Sequence, residues 1–117
     1  MSLLLVTADL LVRSWITAAA ERSGKAIVVV DTLDAARHQV AAHLPRTILV
    51  DLSAPGIEPA ALVELAQSLE PAPAVLAFGP HVHKDRLAAA RAAGCQVLSR
   101  GQLHADVDAI VGQVKKR

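Results

Sequence analysis

Apolar positions along the chain follow two alternating rhythms. Short unbroken runs at Leu3-Leu4-Leu5-Val6, Ala26-Ile27-Val28-Val29-Val30, Thr47-Ile48-Leu49-Val50, Ala74-Val75-Leu76-Ala77-Phe78 and Gln96-Val97-Leu98 predict five strands buried on both faces. Between and after them the spacing turns helical, with Leu11, Trp15, Ala18 and Ala19 marking the first helix and Leu33, Ala36 and Val40 the second. Leu62, Leu65, Ala66 and Leu69 mark the third, Leu87 to Ala93 the fourth, and Val107, Ile110, Val111 and Val114 the fifth. The breaks carry the matching residues: Pro59 suits a first helical turn, Gly24 and Gly94 suit positions just past a helix, and Asp31 or Thr32 can cap helix 2.

Strand-helix alternation repeated five times implies parallel strands joined by right-handed crossovers, with helices on both sheet faces. The expected architecture is a three-layer α/β/α sandwich. The 23 alanines fit it, because small helix residues let helices lie close on a sheet. With 117 residues and no linker or repeat, one domain over 1–117 is expected. A single cysteine forms no internal disulfide, and no Cys/His cluster has zinc spacing. Short apolar runs and an N-terminus without a basic segment predict an untargeted cytoplasmic protein with no membrane partner. A formal charge of +1 and 2% aromatic residues give neither the field nor the stacking surface that nucleic-acid binding uses.

In an open parallel sheet the functional crevice lies beyond the carboxyl ends of the strands. Those ends are Thr7-Ala8-Asp9, Asp31, Asp51-Leu52-Ser53, Gly79-Pro80-His81 and Ser99-Arg100-Gly101. Asp51 leads, because it follows three apolar strand residues and precedes the Ala54-Pro55-Gly56 turn, which sets one carboxylate at the lip of a buried sheet.

Over essentially its whole length the chain resembles the receiver domain of two-component response regulators, a flavodoxin-like fold. The resemblance rests on Val50-Asp51-Leu52-Ser53-Ala54-Pro55-Gly56, similar to the segment around that family's phosphoacceptor aspartate, and on Ala88 to Gly94, similar to its helix 4. It implies a five-stranded parallel sheet of order 2-1-3-4-5 and a phosphoacceptor at Asp51. Partners implied are a histidine kinase or an output protein, and a homodimer through helix 4, strand 5 and helix 5.

Four departures bear on mechanism. The two acidic residues that hold Mg²⁺ in the family correspond to Thr7 and Ala8, leaving Asp9 one place further on and Asp51 as the candidate metal ligands. Mg²⁺ demands oxygen ligands and charge to offset its dehydration, so binding here is expected to be weak and no cofactor is assigned. The hydroxyl residue that contacts the phosphoryl group falls on Gly79, the lysine after strand 5 on Arg100, and the aromatic switch position on Val97. Phosphoryl transfer depends on positioning and electrostatic stabilisation, and both are depleted.

The leading expectation is therefore a stand-alone, degenerate receiver (a pseudo-receiver) that acts by protein contact and is not an enzyme. The alternative is an orthodox phosphorelay regulator phosphorylated on Asp51. A third reading, an anti-anti-sigma-like regulator using Ser53, conflicts with the alternation that starts at residue 3. Asp51 also has a plain structural reading: it caps its own loop or pairs with Arg100. His81 and His83 lack carboxylate company and read as solvated, Cys95 as a small buried residue, Trp15 as core or rim packing, and Lys115-Lys116-Arg117 as a solvated tail.

Overall fold

The computed structural model describes residues 2–54, 56–80 and 82–113. In chain order the elements are β1 (Leu3–Val6), α1 (Leu10–Ser23), β2 (Ile27–Val30), α2 (Leu33–His43), β3 (Thr47–Asp51), α3 (Pro59–Gln67), β4 (Ala74–Gly79), α4 (Lys84–Ala92), β5 (Gln96–Ser99), α5 (Arg100–Ala105) and α6 (Val107–Gly112). All five strands are parallel and lie in the order β2-β1-β3-β4-β5. This is the flavodoxin-like receiver architecture that the sequence resemblance implies.

Alternation along the strands divides the core in two. Leu3, Leu5, Leu49 and Phe78 face α1, α5 and α6 and pack with Val12, Ile16, Leu103 and Val111. Leu4, Val6, Ile48 and Val50 face the opposite way, onto Ala36, Val40, Leu62, Ala66 and Ala90 of α2, α3 and α4. The central strand β1 is wholly buried, whereas β2 at the edge is only half-buried at each of its four residues.

The termini of the helices follow local chemistry. Asp9 caps α1, Thr32 and not Asp31 caps α2, and Pro59 opens α3 at its first position. Gly24 takes the left-handed conformation after α1, with φ 67°, and returns its N–H to the last turn.

Three expectations need correction. In α1 the buried stripe is Val12, Ile16, Ala19 and Ala20, while Leu11 is exposed and Trp15 and Ala18 are half-buried. The Asp9 cap starts the helix at Leu10, and from that start the sheet-facing positions fall one residue later than the apolar spacing suggested. The last helix is two: a Ser99–Gln102 capping box opens α5, and the turn at Asp106 separates it from α6. Val114, assigned to that helix from spacing, lies outside the described residues. Helix α4 begins at Lys84, three residues ahead of the apolar pattern, because its first turn is charged and exposed. No described helix is long and apolar enough to cross a membrane.

Candidate functional site

The candidate residues gather where β1, β3, β4 and β5 end. Asp51 is the last residue of β3, and its side of the sheet leaves it only 4% exposed. A buried carboxylate is tolerable only when hydrogen bonds replace its water. Oδ2 accepts from the Thr7 hydroxyl at 2.6 Å, and Oδ1 accepts from the Ser53 backbone N–H at 2.8 Å. Thr7, itself 4% exposed, in turn accepts from the Asp9 N–H at 3.1 Å. The result is a closed chain from the start of α1 through Thr7 into Asp51.

This chain sets a graded expectation for two substitutions. Asp51→Ala strips the acceptor from a buried hydroxyl and a loop N–H, and should lower unfolding free energy by about 1–3 kcal/mol. Asp51→Asn keeps an acceptor oxygen for the Ser53 N–H and can donate its NH2 to the Thr7 hydroxyl oxygen, and should cost less than half as much. Urea unfolding of the two variants against the parent checks the order.

Asp9 and Arg100 sit elsewhere than the sequence suggested. Oδ1 of Asp9 accepts from the Leu11 and Val12 N–H groups at 2.8 and 3.2 Å, and Oδ2 pairs with Arg100 at 2.7 Å. Arg100 is the first residue of α5, and its guanidinium carbon lies 5.6 Å from the centre of the Trp15 ring. Trp15 stacks on His104 at 4.1 Å between ring centroids. The suggested pairing of Arg100 with Asp51 is therefore replaced by one with Asp9. Two attractions on α1, a free carboxylate oxygen and an aromatic face, draw the guanidinium sideways, while Thr7 and Ser53 satisfy Asp51.

Gly79 ends β4, in register with Ser99 of β5. A Cβ added at Gly79 would lie 3.3 Å from Leu52 Cβ, tighter than ordinary contact. Leu52 thus crowds the place where the family carries its hydroxyl residue. Its N–H donates to the Phe78 carbonyl at 2.8 Å, and its own carbonyl accepts from the Arg86 guanidinium. Leu52 and Arg86 were not singled out from the sequence: Leu52 reads as one more apolar residue, and Arg86 precedes the apolar pattern of α4. The capping box at Ser99 had a visible signal in Ser99-x-x-Gln102.

Val97 is half-buried, opposite Ala77, and packs with the α2–α3–α4 side of the core. Cys95 is buried, and burial pushes its thiol pKa up, which disfavours a reactive thiolate. His81 lies outside the described residues, and His83 is exposed just before α4. Among the described residues no three His, Cys, Asp or Glu side chains converge.

The residues present do not suit Mg²⁺. The cation needs several oxygen ligands with net negative charge. Here a hydroxyl stands against Asp51 where the family has a carboxylate, and the Asp9 carboxylate is committed to a helix cap and a guanidinium.

No protein-family model matches the sequence, and no curated protein matches it. Solved structures do match in shape. The receiver domain of a response regulator from Bermanella marisrubri superposes with a TM-score of 0.80 at 16% identity, covering 97% of this chain and 98% of that one. The receiver domain of NtrX from Brucella abortus gives 0.76 at 15% identity, covering 97% and 100%. The beryllofluoride-activated NtrC4 receiver domain dimer gives 0.75 at 17% identity, covering 96% of each chain. At such identities the likeness establishes the fold.

Proposed function

We propose that the chain is a receiver-type signalling domain that works by protein contact, with a pocket closed by its own side chains in place of metal and phosphoryl group. One observation carries this reading above the rest: the Thr7 hydroxyl sits 2.6 Å from Asp51 Oδ2, at the position where a phosphoaccepting receiver needs negative charge for a cation. The crowding of Gly79 by Leu52 and the turning of Arg100 toward Asp9 support it from two other sides. With the Thr7 hydroxyl in place of a metal-binding carboxylate and Arg100 paired to Asp9, charge developing on a transferring phosphoryl group loses the stabilisation it needs. The domain is then no enzyme, and its output lies in what it binds.

The surface formed by α4, β5 and α5 is the proposed contact face. Lys84 and Arg91 are exposed on α4 against the single acid Asp85, while Arg86 is held by the Leu52 carbonyl, so the face suits an acidic patch on an output protein or histidine kinase. The test is incubation with a small-molecule phosphodonor and Mg²⁺, read by intact mass. The reading predicts no phosphorylated species. Stoichiometric phosphorylation that disappears in Asp51→Asn would return the chain to the orthodox phosphorelay.

A further inference from the structure

We infer that two copies of this chain associate edge to edge through β2, in antiparallel register about Val28, extending the sheet across both molecules. This is independent of the contact face proposed above, since β2 and β5 are the opposite edges of the sheet.

The first support is an unguarded edge. β2 reads Ile27-Val28-Val29-Val30, with no proline, charge or glycine, and every residue retains exposure. Natural edge strands usually carry such guards, because unpaired backbone groups invite another strand. The other edge, β5, carries polar Gln96 and Ser99 within the strand itself.

The second support is register. The Ala26 carbonyl accepts from Leu3 N–H at 3.1 Å and the Val30 carbonyl from Thr7 N–H at 2.9 Å, so Ala26, Val28 and Val30 direct their backbone groups toward β1. By alternation Ile27 and Val29 direct theirs outward. An antiparallel pair needs outward residues opposite each other, and pairing about Val28 meets this, with Ile27 against Val29 of the second copy and Val28 against Val28.

The third support is charge. Of the registers that backbone direction allows, the one about Val28 puts Lys25 opposite Asp31 of the second copy, and by symmetry Asp31 opposite Lys25, and this charge match selects it. Both flank β2 and share the sequence parity of Ile27 and Val29, and the Lys25 N–H donates to the Ala20 carbonyl at 2.9 Å. Asp31 is exposed and Lys25 half-buried, and neither has an ion-pair partner among the described residues. Opposed charges across paired strands attract, and like charges repel. The segment from Lys25 to Asp31, with β2 at its centre, is thus self-complementary in charge when paired antiparallel about Val28.

A four-residue strand makes a narrow contact, so the dimer is weak. Sedimentation velocity of the full chain from about 1 µM to about 1 mM covers the range of weak association. The parent should dimerise reversibly within it. Lys25→Glu and Asp31→Lys should each weaken association about tenfold, since each reverses two symmetric pairs. The double reversal, Lys25→Glu with Asp31→Lys, should restore it. Amide exchange should slow at Ile27 and Val29 as concentration rises. Arg91→Glu, on α4, should leave the dimer unchanged. A chain monomeric throughout, association indifferent to the single reversals, or a dimer lost only in Arg91→Glu would each overturn the inference.

Discussion

Thr7→Asp combined with Ala8→Asp is expected to bind Mg²⁺ about a hundredfold more tightly than the parent. Two carboxylates added at the end of β1 restore the charge and oxygen ligands that a hard dication requires, next to an aspartate already held by β3. The same pair of substitutions should lower stability without metal by about 2–4 kcal/mol at neutral pH, because a hydrogen-bond donor to a buried carboxylate becomes a like charge. The pH dependence has a definite sign. Two carboxylates sharing a site raise at least one pKa above its unfolded value, so the destabilisation is small in acid and grows as pH rises through the carboxylate range. Calorimetric titration with Mg²⁺ and thermal melts at two pH values, with and without the cation, check affinity, sign and rescue together.

Phe78→Ala is expected to lower unfolding free energy by about 3–5 kcal/mol. Phe78 is 1% exposed and heads the largest fully buried side chains. It packs against Leu3, Leu5, Leu49 and Leu103 between the sheet and the α1–α5–α6 layer, where short α5 and α6 leave few atoms to close a cavity. Its backbone also matters to the site: its carbonyl accepts the Leu52 N–H, and it stands in register with Asp51. Denaturant unfolding should show a lower midpoint with an unchanged slope. A loss below 1 kcal/mol would mean that the layer repacks, and would weaken the role given to Phe78.

The sheet was legible in the sequence because parallel strands buried on both faces stand out as apolar runs, and the structure reproduces all five. Asp51 was legible for the same reason, as a charge set where a run ends. The orientation of α1 was not, since apolar residues fall on both sides of its true stripe and only the Asp9 cap fixes where the helix starts. Arg100 was placed by its position after β5, yet its direction depends on Asp9 and Trp15, both more than eighty residues away in sequence and brought close only by packing. Leu52 against Gly79 was equally hidden, because it joins the ends of neighbouring strands β3 and β4. Thr7 was visible only as a missing acid, and its hydrogen bond to Asp51 turns that absence into a filled pocket.

Backbone-amide NMR during titration with Mg²⁺ and then beryllofluoride, a phosphoryl mimic, tests the closed pocket most directly, with Asp51→Asn as control. The account predicts no saturable shift at Thr7, Ser53, Gly79 or Arg100 at millimolar Mg²⁺, and none on adding beryllofluoride. Shifts at those amides that saturate in the parent and vanish in Asp51→Asn would contradict it, showing that the pocket opens to a cation and a phosphoryl group.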